Sequence, residues 1–280
     1  VSSIDPSHLW LSNLSIAAVI SSLAWGLGYF GQPHIIVRFM AIRSVGEIKL
    51  ARRIGMSWMI TCLLGSMAVG FVGIAFVAKA QVSLTDPEAI FILLSQLLFH
   101  PFITGFLLAA VLAAIMSTVS SQLLVTSSSL TEDIYKAFLQ KEASQQQLVF
   151  VGRLCVALVA GLAIFLAHNR DSSILQLVSH AWAGFGAAFG PMILLSLYWQ
   201  RMTSAGALAG IVVGAATVLV WIYAPISIAG QSLSQIIYAM VPGFLLSTLA
   251  IVLVSRLTRK PSKEVNAAFS AMEVRVKSEF

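Results

Sequence analysis

The sequence predicts an all-α polytopic membrane protein with about seven transmembrane helices, and three observations carry that expectation. Of the 280 residues, 58% are hydrophobic and only 10% are charged, against about 25% charged in a soluble domain. The apolar residues gather into stretches of the roughly 20 residues that a helix needs to cross hydrocarbon. Nearly all the charged residues fall between those stretches.

The stretches lie at Leu14–Val37, Ile54–Val77, Phe102–Val125, Leu148–Ala167, Ile174–Trp199, Ala205–Tyr223 and Ile236–Val254. None alternates apolar and polar residues as a lipid-facing barrel strand must. Helices are then the remaining way to satisfy the backbone within the bilayer. The connectors also have a sidedness. Arg38, Arg43, Lys49, Arg52 and Arg53 follow the first span, Lys136, Lys141 and Arg153 surround the loop after the third, and Arg201 follows the fifth. Arg256, Arg259, Lys260, Lys263, Arg275 and Lys277 follow the seventh, whereas the opposite side holds only Lys79 and Arg170. Basic residues mark the cytoplasmic side, so the N-terminal segment is expected outside and the C-terminus inside. The net charge of +6 is thereby a topology signal and implies no nucleic-acid partner. The opening Val-Ser-Ser-Ile-Asp-Pro-Ser-His resembles an inter-helix loop rather than a signal peptide, as if the sequence began inside a longer protein.

Shorter features fit between the spans. Asp86-Pro87-Glu88 opens an apolar helix over Ala89–Phe99 that His100-Pro101 ends; it is too short to span and is expected as an external or re-entrant helix. A cytoplasmic helix continues from Thr131 through Phe138. Ser144–Gln147 is expected as a polar loop, and Lys260–Phe280 as a mobile tail or surface helix. Cys62 and Cys155 lie in apolar runs, as packing residues rather than a disulfide or metal pair.

All eleven acidic residues lie in connectors or tails. That removes the carboxylates that usually mark intramembrane proton relays, and with them the residue sets of an intramembrane enzyme. His180, within the fifth span, is expected as a hydrogen-bonded packing residue.

Two segments remain. In the first span, Trp25-Gly26-Leu27-Gly28-Tyr29-Phe30-Gly31-Gln32-Pro33 places three glycines and a proline where an unbroken helix would not hold them. A helix broken within the membrane is expected, and transporters place solute sites at such breaks. Trp25 and Tyr29, four apart, are expected to share a face and could wall a solute; the alternative is a packing kink with interfacial aromatics. In the third span, Ala113–Ser121 carries Ser117, Thr118, Ser120 and Ser121 in an otherwise apolar helix. Their oxygens suit a hard monovalent cation; the alternative is close helix packing with hydroxyls bonded back to the helix. The glycine-rich Ala181–Pro191, with a flex point at its proline, and Gly206, Gly210 and Gly214 are expected to allow close helix contact.

At these residues the sequence resembles the solute:sodium symporter family, its bacterial proline-carrying members most of all. The resemblance rests on Trp25–Met40, Met116-Ser117-Thr118, Leu130–Phe138 and Ala187–Pro191. It also rests on Leu197, Arg201 and Gly206-Ala207 at the family's spacing. It implies a leucine-transporter-type core of two inverted five-helix repeats. Residues 1–200 would then be the second repeat, 201–257 two peripheral helices and 258–280 a cytoplasmic tail. It implies sodium, as the co-transported ion, at the Ala114 carbonyl and the Ser117 and Thr118 hydroxyls. It implies L-proline near Trp25, Tyr29 and Pro33, import across a bacterial cytoplasmic membrane, and no enzymatic activity. The first repeat, with its own broken helix and sodium ligands, would be a missing N-terminal half. Another small solute such as pantothenate, or a membrane sensor on the same fold, are the alternatives.

Overall fold

The computed structural model describes residues 15–82, 84, 86–167, 174–228 and 230–279. The opening loop-like segment and the connector holding Arg170 and Asp171 lie outside the described residues. Contacts divide the chain into two units, one built from Glu47–Phe165 and the other from residues 15–46 and 166–279. Six helices are long and apolar enough to cross a bilayer. The expected first span is different, because it is made of pieces.

In that span α1 (Ile16–Ala24) begins on Ser15, whose hydroxyl accepts the Ala18 amide. A 3-10 turn follows over Trp25–Gly31, then an extended Gln32, then α2 (Pro33–Met40) with proline in its first turn. Proline is favoured there because its missing N–H would have no helical partner anyway. The break therefore falls where the glycines and proline predict it.

The unit of Glu47–Phe165 contains α3 (Glu47–Ala80), α4 (Ile90–Leu98), α5 (Pro101–Ser128) and α6 (Gln145–Leu166). Gln81 ends α3 in the left-handed region at φ 50°, and its side-chain amide donates to the Ala78 carbonyl at 2.8 Å. Asp86 caps a short 3-10 turn at Pro87–Ala89 that leads into α4. His100 then caps α5, with Pro101 in its first turn. Thr104 on α5 donates to the Ser95 carbonyl on α4 at 2.7 Å. α5 continues without a gap as a π-helix through Ser129–Leu139, where Lys136 pairs with Glu132 at 2.9 Å. The expected polar loop at Ser144–Gln147 is corrected. Ser144 is the cap of α6: its hydroxyl accepts the Gln147 amide and its own amide donates to the Gln147 side-chain oxygen, so the glutamines open the helix. This reciprocal pairing satisfies two amides that the helix itself cannot.

The second unit adds α7 (Ile174–Tyr198), α8 (Ser204–Tyr223), a two-residue hairpin β1 (Ser227–Ile228) and β2 (Gln231–Ser232), α9 (Leu233–Ile236), α10 (Met240–Leu257) and α11 (Lys263–Glu279). α7 runs through Pro191 as one helix. The seventh span starts at Met240, not Ile236. Ile237 is extended, and the Trp221 indole donates to the Leu233 and Ile237 carbonyls at 3.1 and 3.0 Å. Those bonds hold a gap between α9 and α10 that hydropathy alone does not reveal.

Small residues set the packing of this unit. Ala24, Ala183, Ala187, Val218, Ala239 and Met240 form its buried cluster. A side chain on Gly210 would overlap Ile251 of α10, and one on Gly214 would overlap the Ala187 carbonyl of α7. Ser247 adds a 2.9 Å bond to the Gly210 carbonyl. In lipid, where apolar burial drives little association, close packing of this kind is what joins helices.

Candidate functional site

The break is held by α7. Gly28 and Gly31 are buried, and a methyl on Gly31 would come within 2.7 Å of the Gly186 Cα. A methyl on Gly28 would overlap the Trp182 indole. The backbone of the 3-10 turn thus lies directly on that of α7, which only glycine permits.

Trp182 is the centre of the arrangement. Its Nε1 donates to the Trp25 carbonyl at 2.9 Å, at the junction between α1 and the 3-10 turn. Its ring stacks with that of Trp25 at 5.8 Å between centroids, and Tyr29 meets it edge-on at 4.9 Å. Its own carbonyl accepts from the Gln32 side chain at 3.4 Å. From the loop before α10, Tyr238 also stacks with Trp25, at 5.8 Å. The Tyr238 amide donates to the Ser21 hydroxyl at 3.0 Å and its phenol to the Ser179 carbonyl at 2.7 Å.

Trp25 and Tyr29 are therefore brought together, but not for the expected reason. A 3-10 helix has three residues per turn, so residues four apart do not share a face. They converge because both rings meet Trp182. Trp25 is half-buried among aromatics, whereas Tyr29 remains 45% exposed. Pro33 lies past the extended Gln32, in the first turn of α2. Trp182 was legible only as part of a glycine-rich packing run, and Tyr238 carried no sequence signal.

The cation candidates lie on α5, in the other unit. The Thr118 hydroxyl donates to the Ala114 carbonyl at 3.3 Å, and Ser121 donates to the Thr118 carbonyl at 2.9 Å. Two of the three oxygens thus sit together, one turn apart. An ion there would replace the bond between them, leaving the hydroxyl oxygen free to coordinate. Ser117 is exposed on the same helix. No cluster of three or more His, Cys, Asp or Glu suited to a metal occurs among the described residues.

His180 is half-buried and lines an apolar cavity of about 590 Å³ between α7 and α8. Its imidazole has no hydrogen-bond partner among the described residues, so it packs without the bond expected of it.

The family model for the sodium:solute symporter family matches residues 7–214. The chain belongs to the sodium:solute symporter family. It is similar to the osmoregulated proline transporter OpuE of Bacillus subtilis, 56% identical over 92% of this chain and 52% of the relative. It is 55% identical to the high-affinity proline transporter PutP of the same organism, over 96% of this chain and 56% of the relative. It is 52% identical to a sodium/proline symporter of Staphylococcus aureus, over 93% and 52%. The chain thus spans about half the length of these curated relatives. No solved structure matches it significantly. Membership in the symporter family, with its apolar helices, makes this a multi-pass membrane protein of a transport family and not an enzyme.

Proposed function

We propose that these residues form the later part of a sodium-coupled importer of L-proline in a bacterial cytoplasmic membrane. The observation that carries the reading is identity of 52–56% to proline transporters and sodium/proline symporters along more than nine-tenths of the chain. A preceding half of the same protein completes the transporter. Residues 1–200 are its second inverted repeat, 201–257 two peripheral helices and 258–280 a cytoplasmic tail. The charge bias of the connectors supports an outside N-terminal end and a cytoplasmic C-terminus.

Proline occupies the region of Trp25, Tyr29 and Pro33, with the exposed Tyr29 hydroxyl as the polar handle. Sodium takes the Ala114 carbonyl and the Ser117 and Thr118 hydroxyls. Coupling follows if each ligand stabilises the same conformation, since each then raises the other's affinity equally. Radiolabelled proline uptake by the full-length protein, with and without sodium, tests this. Sodium should stimulate uptake; Ser117→Ala and Thr118→Ala should raise the sodium concentration required, and Tyr29→Ala the proline concentration. Uptake indifferent to sodium would overturn the function, and unchanged sodium dependence in both hydroxyl variants would overturn the ion site alone.

A further inference from the structure

Where α8 begins and α10 ends, the chain forms an open cavity of about 360 Å³. Its wall includes Thr203, Ser204, Thr258, Arg259, Lys260 and Ser262. Both helices are apolar and long enough to cross a bilayer, so their ends, and the cavity with them, lie at the level of lipid headgroups.

The charges that line it are of one sign. Arg259 and Lys260 line it, and Arg201 stands beside it, its Nη2 donating to the Thr258 carbonyl at 3.1 Å. The Arg201 Nη1 is buried and has no partner among the described residues. None of these three cations joins an ion pair among the described residues. Glu264 lies between the lining residues Ser262 and Val265 and is exposed, outside the cavity wall. The hydroxyls are not equivalent. Those of Thr203 and Thr258 are engaged in local bonds. The Ser262 oxygen accepts the Val265 amide, which leaves its proton to donate. Ser204 and Ala205, in the first turn of the 20-residue α8, line the same space at the positive end of that helix.

We propose that this cavity binds the phosphate of an anionic phospholipid headgroup. Clustered donors and unpaired cations select a phosphate oxygen shell, and basic pockets at helix ends hold anionic headgroups. Its apolar members Met202, Ala205 and Val265 favour a lipid over a free ion, because glycerol and acyl carbons meet them. The inference is independent of which solute the protein carries.

The full-length protein in nanodiscs of equal phosphatidylglycerol and phosphatidylcholine, released for native mass spectrometry, supplies the test. The natural protein should retain phosphatidylglycerol with about tenfold preference, a difference of about 1.4 kcal/mol. Arg259→Gln with Lys260→Gln should bring that preference close to parity. Arg275→Gln with Lys277→Gln, equal in charge but at the far end of α11, should leave it intact. Equal retention of both lipids by the natural protein overturns the proposal, as does an equal loss in the two double variants, which indicates diffuse attraction. Inorganic phosphate, added to lipid-free protein in detergent, distinguishes the remaining source: binding there that is abolished by the Arg259 and Lys260 changes, with no lipid preference in nanodiscs, makes the ligand a soluble anion.

Discussion

Trp182 contributes one polar atom and one large ring to the broken span, and the two separate by substitution. Trp182→Phe keeps a ring but removes the indole bond to the Trp25 carbonyl. Losing one such bond costs about 0.5–1.5 kcal/mol, so detergent-solubilised full-length protein should lose stability by that order on thermal unfolding. Gly28→Ala should cost a similar amount through overpacking, because its methyl falls on the five-membered part of the indole. Phenylalanine fills nearly the same position, but Trp182→Ala removes the ring altogether, so the double variant Gly28→Ala with Trp182→Ala should be less destabilised than the sum of its singles, since contacting residues couple. Strict additivity would mean that the two residues do not meet. Trp25 and Tyr29 were legible as candidates because local glycines and a proline mark the break around them. Their common partner was not, since Trp182 lies 157 residues from Trp25 and nothing local to either encodes the pairing.

Helix boundaries follow the same division between local and distant causes. The starts of α5 and α8 were readable to within a residue from where the apolar stretches begin, and the structure finds local caps there, His100 and Thr203. The start of α10 was not, because Trp221 on another helix holds the preceding turn open. The glycines of α8 were readable as a packing stripe, and their partners on α7 and α10 now have names. Two changes rank the forces involved. Ser247→Ala removes one interhelical bond, of a kind worth about 0.6 kcal/mol in membranes. Gly214→Val drives a branched side chain into the Ala187 carbonyl and should cost several times more. Unfolding in a graded denaturing detergent measures both; a larger loss for Ser247→Ala would make the hydrogen bond, not close approach, the main tie between these helices.

For the molecule in its bilayer, composition and charge placement made the class of fold readable at once, whereas the spatial partners of each helix were not, since lipid-facing and protein-facing positions are equally apolar. The connector charges do make a directional claim that labelling can check. In a background of Cys62→Ser and Cys155→Ser, Lys141→Cys should be protected from a membrane-impermeant maleimide in whole cells and reactive in inverted vesicles, and Val82→Cys should behave oppositely. The reverse pattern would invert the topology. Finally, α5 with its π-helical continuation is a single rod of 39 residues from Pro101 to Leu139, free of glycine and proline beyond Gly105. Phe138 lies 20 positions beyond Thr118, about 30 Å along the rod at 1.5 Å per residue, and its side chain is 81% exposed. A tilt of about 10° at the hydroxyls would sweep that tip by about 5 Å over such a length. Such a rod has the reach of a lever arm, and a spin label at Phe138 would read out angular movement at the proposed ion-binding segment.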